Sequence, residues 1–282
     1  MYAMRLNQSK VQMITMNPSD RTFLSFVDGR PVGEVSSWPY LGARISRDAR
    51  QKDNLSARLA MATKEFDKLV GFWAHAGIQT WLKLRTFKAI FYPMVTYALH
   101  YSWLTKSMRM KLDSWQARML RRVLRIKASM ISHVSNSEVL ARSKCTPLSE
   151  QVKSNRFKYF GHVVRRPFED TICNVVVDSS YKLRLPAGKR LRKRPLDNWS
   201  RKTITEVLES ASKLPADVRP TGSEKPATSG MLYARRLATN KEMWKRLEVR
   251  RTDAPAGRRA GSRARLGRVA AEPAAAPPGG AR

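Results

Sequence analysis

Residues 54–127 constrain the fold more than any other stretch, because three apolar stripes follow one another there at helical spacing. In the first, Leu55, Leu59, Ala62, Phe66, Leu69 and Trp73 recur at alternating steps of four and three, which puts them on one helix face. Gly77 is a stop signal, and Thr80 stands where an N-cap belongs. The second stripe runs through Leu84, Phe87, Phe91, Met94 or Val95, and Ala98, with Pro93 removing one backbone donor inside it. The third carries Met108, Leu112, Trp115, Met119 and Val123. Three such stripes have little to bury against except one another. A small helical bundle is the expected centre of a mainly α chain.

The residues before the bundle have a different character. Val11–Thr15 and Phe23–Val27 are strand-like, Asp28-Gly29 signals a turn, and Trp38-Pro39-Tyr40-Leu41-Gly42 leads into a third short strand at Ala43–Ile45. So few apolar residues cannot sustain a sheet alone. The strands are expected to be the edge of a sheet whose main strands lie outside this sequence, which would then begin mid-domain.

After Lys127 a polar connector leads to a helix through Val139 and Leu140, capped by Ser137 or Asn136. Leu148–Arg165 is expected to be another helix, with Val152, Phe157, Phe160 and Val164 as its apolar set and Gly161 marking close packing or a break. Trp199, Ile204, Val207 and Leu208 open a short amphipathic segment. Residues 213–230, rich in Pro, Ser, Thr and Gly, read as linker, and 231–250 as one helix with Leu232, Leu237, Trp244 and Leu247. All but six of residues 251–282 are Ala, Arg, Gly or Pro, so this basic tail is expected to be disordered. Two origins for it stand side by side: non-coding sequence read through into protein, or a solvated basic tail. The resulting division is 1–50, strands and turn; 51–130, bundle; 131–210, a basic helical region; 211–250, linker and short helix; 251–282, tail.

Charge narrows the partner. The 54 Lys and Arg against 22 Asp and Glu give a formal +32, which repels itself unless a polyanion is present. Nucleic acid is the first expectation, an anionic membrane surface the second. Cys145 and Cys173 make no disulfide framework, and no signal-peptide pattern is present, so the chain reads as intracellular, nuclear or cytoplasmic, and not secreted. The longest nearly apolar run, residues 89–99, is too short to span a bilayer. His133, Cys145, His162 and Cys173 stand ten or more residues apart, unlike the close pairs of a zinc site, and no metal is expected. His162 is expected to be a core or capping residue. No Ser-His-Asp or Cys-His arrangement and no Gly-rich phosphate loop is present.

Several segments, in order, resemble the post-catalytic part of a non-long-terminal-repeat (LINE-type) retrotransposon reverse transcriptase. Leu6-Asn7-Gln8-Ser9-Lys10 is similar to the family's Leu-x-x-x-Lys segment after the catalytic strand pair. Trp38-Pro39-Tyr40-Leu41-Gly42 resembles its aromatic-x-Tyr-Leu-Gly turn, the primer grip at the palm–thumb border, and the three helices fall where the thumb falls. Leu148-Ser149-Glu150 and Arg156–Arg165 look like the Leu-Arg-Trp-Phe-Gly-His-Val-Arg segment beyond the thumb. Arg192-Lys193-Arg194-Pro195 with Trp199 resembles the basic Arg-Gly-Arg-Pro-x-x-x-Trp element, Lys193 replacing glycine. The family's Tyr-Gly-x-Glu-x-Trp is here Tyr97-Ala98-Leu99-His100-Tyr101-Ser102, with Trp103 one place late. The resemblance spans residues 5–210.

The resemblance implies a palm edge, a thumb and a basic post-thumb region, with Tyr40, Leu41 and Gly42 descended from a primer grip. Polymerase chemistry in the family uses paired aspartates to hold two metal ions. None of the eleven aspartates here adjoins another. Mg2+ is thus implied only for a complete enzyme, and this chain is expected to be inactive while retaining non-specific RNA and DNA binding. Other readings are a stand-alone basic helical nucleic-acid-binding protein and a translated retroelement remnant without function.

Two arginine- and lysine-rich groups are candidates for that binding. Arg118, Arg121, Arg122 and Arg125 fall at i, i+3, i+4 and i+7, one stripe about a right angle from the apolar face of their helix. It reads equally as a phosphate-lining edge or as a solvated face. Lys189, Arg190, Arg192, Lys193 and Arg194 form the densest cluster, read as a nucleic-acid contact, a nuclear-import signal or a solvated loop. Trp199 could stack on a base, although anchoring its own helix is the stronger reading.

Overall fold

The computed structural model of the protein describes residues 7–15, 23–47, 51–75, 77–177, 199–213 and 230–249. These residues are mainly helical, with a small strand region before the first long helix. Strands β1 (Gln12–Met13) and β2 (Gly33–Glu34) pair in parallel. Strands β3 (Ser37–Tyr40) and β4 (Ala43–Ser46) form an antiparallel hairpin in which Tyr40 faces Ala43. The strand expected at 23–27 is reduced to a single bridge, Ser25 to Pro31, around the Asp28-Gly29 turn. Phe23 and Val27 stay exposed, so no apolar face drives a longer pairing.

Three long helices follow: α1 (Lys52–His75), α2 (Thr80–Thr96) and α3 (Lys106–Val123). Their stripes are the expected ones. Leu55, Leu59, Ala62, Phe66 and Trp73 of α1 are buried against Phe87, Phe91 and Val95 of α2 and Leu112, Trp115, Met119 and Val123 of α3. Phe66 meets Trp73, Phe87 and Phe91 edge-on, with centroids 5.4–6.1 Å apart, the geometry favoured by ring quadrupoles. Helix ends are closed by side chains. Lys83 Nζ donates to the Trp73 carbonyl at 3.0 Å, and Thr105 caps α3 by accepting from Met108 N. Thr80 is the first helical residue of α2, with Gln79 at its cap, and the helix ends three residues beyond Pro93.

Beyond the bundle lie α4 (Ser129–Ser132), α5 (Asn136–Ser143), α6 (Leu148–Arg165), α7 (Thr171–Val176), α8 (Trp199–Ala211), α9 (Gly230–Thr239) and α10 (Lys241–Val249). Ser135 caps α5, since the Asn136 amide oxygen is taken by Arg121. The start of α6 follows Pro147 and borrows its caps from α3. Leu148 N donates to Gln116 Oε1 at 2.9 Å, and Ser149 N and Oγ donate to the Asp113 carboxylate at 2.9 and 2.6 Å. Burial pushes the Asp113 carboxyl up, and the two bonds from Ser149 oppose it.

Packing groups the described residues by two cores that share α6. Leu148 and Val152 close the first, with α1, α2, α3 and α5. Phe157, Phe160 and Val164 belong to the second, with α7, α8, α9 and α10. Gly161 marks close packing and no break, because α6 runs on through it to Arg165. A Cβ at Gly161 would lie 2.3 Å from Trp244 Nε1, whose N–H donates to the Phe157 carbonyl at 3.1 Å. The single helix expected over 231–250 is two. Asn240 separates them and caps α10, its Oδ1 accepting from Met243 N at 3.1 Å. Met231 rather than Leu232 is buried there. The tail at 251–282 lies outside the described residues.

Candidate nucleic-acid interface

The turn at Tyr40-Leu41-Gly42 is a two-residue hairpin loop with both central residues at positive φ, 45° for Leu41 and 76° for Gly42. Glycine takes that conformation freely. A leucine does so at roughly 1–2 kcal/mol, a strain the surroundings must hold. Two residues of α1 and one after α2 hold it. Arg58 donates to the Gly42 carbonyl through Nη2, and Tyr97 OH donates to the Leu41 carbonyl at 2.8 Å. The Arg58 guanidinium also lies over the Tyr97 ring, 4.5 Å from its centroid, and Asn54 Oδ1 accepts from Arg44 N at 3.3 Å. Burial lowers the Arg58 pKa, and Tyr97 opposes that shift. The outer side of the turn is open: Tyr40 is 57% and Leu41 75% exposed.

The four-arginine stripe divides. Arg121 is 6% exposed and turned to the chain after α4, where Nη2 donates to the Val134 carbonyl and to Asn136 Oδ1, both at 2.8 Å. It is a packing residue, which corrects the expected surface role. Arg125 lies past the end of α3 at φ 56°, in a turn where Ile126 N reaches the Arg121 carbonyl and Arg125 N the Arg122 carbonyl. The helix ends before its last arginine, so the four do not share one stripe.

Arg118 and Arg122 remain on the exposed side of α3, and Lys111 joins them. Lys111 stands seven residues before Arg118, two turns back on the same side, a spacing legible in the sequence but missed beside the denser arginine run. Lys111 and Arg118 flank a cleft of about 390 Å³ between α1 and α3, floored by Leu59, Ala60, Thr63 and Trp115. Its walls are fixed. Trp115 Nε1 donates to Thr63 Oγ1 at 2.9 Å, and Lys111 Nζ to Ser56 Oγ at 3.0 Å. Arg122 pairs with Asp67 at 2.5 Å and lies over the Phe66 ring.

Trp199 opens α8 as its anchor. The indole N–H donates to the His100 carbonyl at 2.9 Å, and the ring packs on Phe160 and Tyr159. A base would have to displace these contacts. Lys189, Arg190, Arg192, Lys193 and Arg194 lie outside the described residues. His162 is exposed on α6, where Nε2 accepts from Arg166 at 3.0 Å, so it is neither core nor cap. Among the described residues no three His, Cys, Asp or Glu side chains converge as a metal site would require. No described helix is long and apolar enough to cross a membrane.

No protein-family model, curated protein or solved structure matches the chain. The class that fold and site define is therefore a mainly helical protein with a small strand hairpin seated on its first long helix.

Proposed function

We propose that the chain binds RNA and DNA through phosphates without reading sequence, as a non-polymerising piece of LINE-type reverse-transcriptase descent. The observation that carries this reading is that one stretch of α1 serves both candidate features. Asn54 and Arg58 hold the strained, exposed Tyr40-Leu41-Gly42 tip, and Leu59, Ala60 and Thr63 floor the cleft that Lys111 and Arg118 flank. A strained apolar tip open to solvent is poor economy for stability alone, which favours a contact role. Lysine and arginine on a fixed wall suit a phosphate backbone, whose neutralisation releases condensed cations.

The test is a salt titration of full-length chain on labelled duplex. Neutralising about six phosphates gives a log–log slope of roughly −5. Lys111→Ala, Arg118→Ala and Arg122→Ala together should weaken binding and flatten that slope by about two, since the Arg122 charge is already answered by Asp67. Sequence preference should stay unchanged, since phosphate contacts carry none. An unchanged slope in the triple variant would move the binding elsewhere, with Lys189, Arg190, Arg192, Lys193 and Arg194 as the next residues to replace. Primer extension on an RNA template with Mg2+ should give no product above a protein-free control, because no adjacent aspartates hold two ions.

A further inference from the structure

The surface where the 3₁₀ turn Leu99–Tyr101 meets α6 lies apart from the α1–α3 cleft and takes no part in it. Tyr101 is 55% exposed there, yet its ring is held. The His100 ring lies 4.0 Å from its centroid, and Tyr159 meets it at 4.8 Å and 88°, edge to face. Tyr159 in turn packs on Trp199, whose N–H is bound by the His100 carbonyl. A ring buttressed in this way has little rotamer freedom left to lose when a flat group is laid on its open side. His162 stands three residues beyond Tyr159 on α6. Burial raises the Tyr159 pKa, and Arg166, at the C-terminal cap of that helix, acts electrostatically to lower it. Arg166 donates to His162 Nε2 at 3.0 Å and pairs with Asp170 at 2.6 Å, so part of its charge is already answered.

We propose that this surface binds single-stranded nucleic acid by stacking, with Tyr101 as the platform for one base and Arg166 facing an adjoining phosphate. Two observations choose the occupant. An exposed, fixed aromatic ring with a cation at its margin is the arrangement on which bases stack. The net charge of +32 draws a polyanion to it in preference to a neutral or basic protein. The form of the polymer follows as well, since a duplex keeps its bases paired and stacked and has no free face to offer. The inference rests on the nucleic-acid reading above, but assigns a different surface and a different strand state. Because Asp170 already engages Arg166, stacking outweighs ion release here.

The experiment measures anisotropy of full-length chain with a labelled oligothymidylate, the same strand carrying abasic spacers in place of its bases, and a duplex. Wild type should prefer the base-bearing strand to the abasic one by about tenfold, the usual worth of one stacked base. Tyr101→Ala, at an exposed position, should abolish that preference, Tyr101→Trp should restore it, and duplex affinity and its salt slope should stay as in wild type. A base-over-abasic ratio unaltered in Tyr101→Ala overturns the stacking site while leaving the cleft reading intact. Equal wild-type affinity for both strands does the same. Failure to bind any of the three probes overturns both.

Discussion

The two cores are assembled in opposite ways. The first is built from long helices that follow one another closely, each burying several large side chains on one stripe, with Phe66 at the meeting point of α1 and α2. The second gathers short helices from separated stretches of chain, and its key contacts are particular rather than repetitive: an indole against a glycine, and a carboxylate among cations. Glu206 is the centre of the latter. It pairs with Arg156, with Lys153 at 3.4 Å and with Arg109 at 3.7 Å, drawing α3, α6 and α8 together. Burial lowers the Arg156 pKa, and Glu206 opposes that shift. Arg156 and Arg109 also lie over the Trp103 ring. A core made of periodic stripes tolerates small shifts, whereas one made of single complementary contacts fails contact by contact.

That contrast predicts an asymmetry, since the second core leans on a helix whose first half is anchored in the other. Phe66→Ala should cost about 4 kcal/mol, the usual range for a large aromatic in a packed core. Amide exchange should then lose protection in both cores together. Protection kept in α8–α10 would show the second core standing alone. Glu206→Gln should cost about 3 kcal/mol by leaving Arg156 buried without its counter-charge, read by chemical denaturation. A change within error would show the cations finding other partners. Gly161→Ala should cost about 2 kcal/mol, because its Cβ must push the Trp244 ring aside. Exchange should speed in α9 and α10 while α1–α3 keep their protection. Equal loosening of both cores would erase the asymmetry.

The smallest expected effect concerns the seam. Burial lowers the His100 pKa, against a hydrogen bond to the Thr96 backbone that raises it. The folded state thus favours the neutral ring. Its contribution is present above the unfolded value of about 6.5 and is lost as pH falls through that value towards the lower folded one. The thermal midpoint should drop on acidification from about pH 6.5 downwards, and His100→Phe should flatten that part of the profile. A variant profile parallel to wild type would remove His100 as its cause.

Legibility in the sequence followed the same division. The α1 stripe from Leu55 to Trp73 was readable because periodicity reports burial directly when a helix is long and one-sided. The hairpin tip at Leu41-Gly42 was expected as a turn only through the resemblance, since the residues alone read as the start of a strand. The break at Asn240 had a signal, an N-cap residue ahead of Lys-Glu-Met-Trp, but the apolar pattern ran across it. Arg121 could not be separated from Arg118 by spacing, because which side of α3 meets the chain at Val134 is settled by where that chain returns.

What the sequence determined by itself is local and repetitive: the helical class, the three stripes of the first core, and a formal net charge of +32. Tertiary structure alone decided which arginine is buried, that Lys111 and Arg118 flank one cleft, that Gly161 receives Trp244, and that Tyr101 stands exposed against the edge of Tyr159. Each of these joins residues far apart in the chain, as Phe157 and Trp244 are joined across 87 positions. Helical periodicity records how a residue sits on its own helix; it holds no information on which distant segment comes to lie against it.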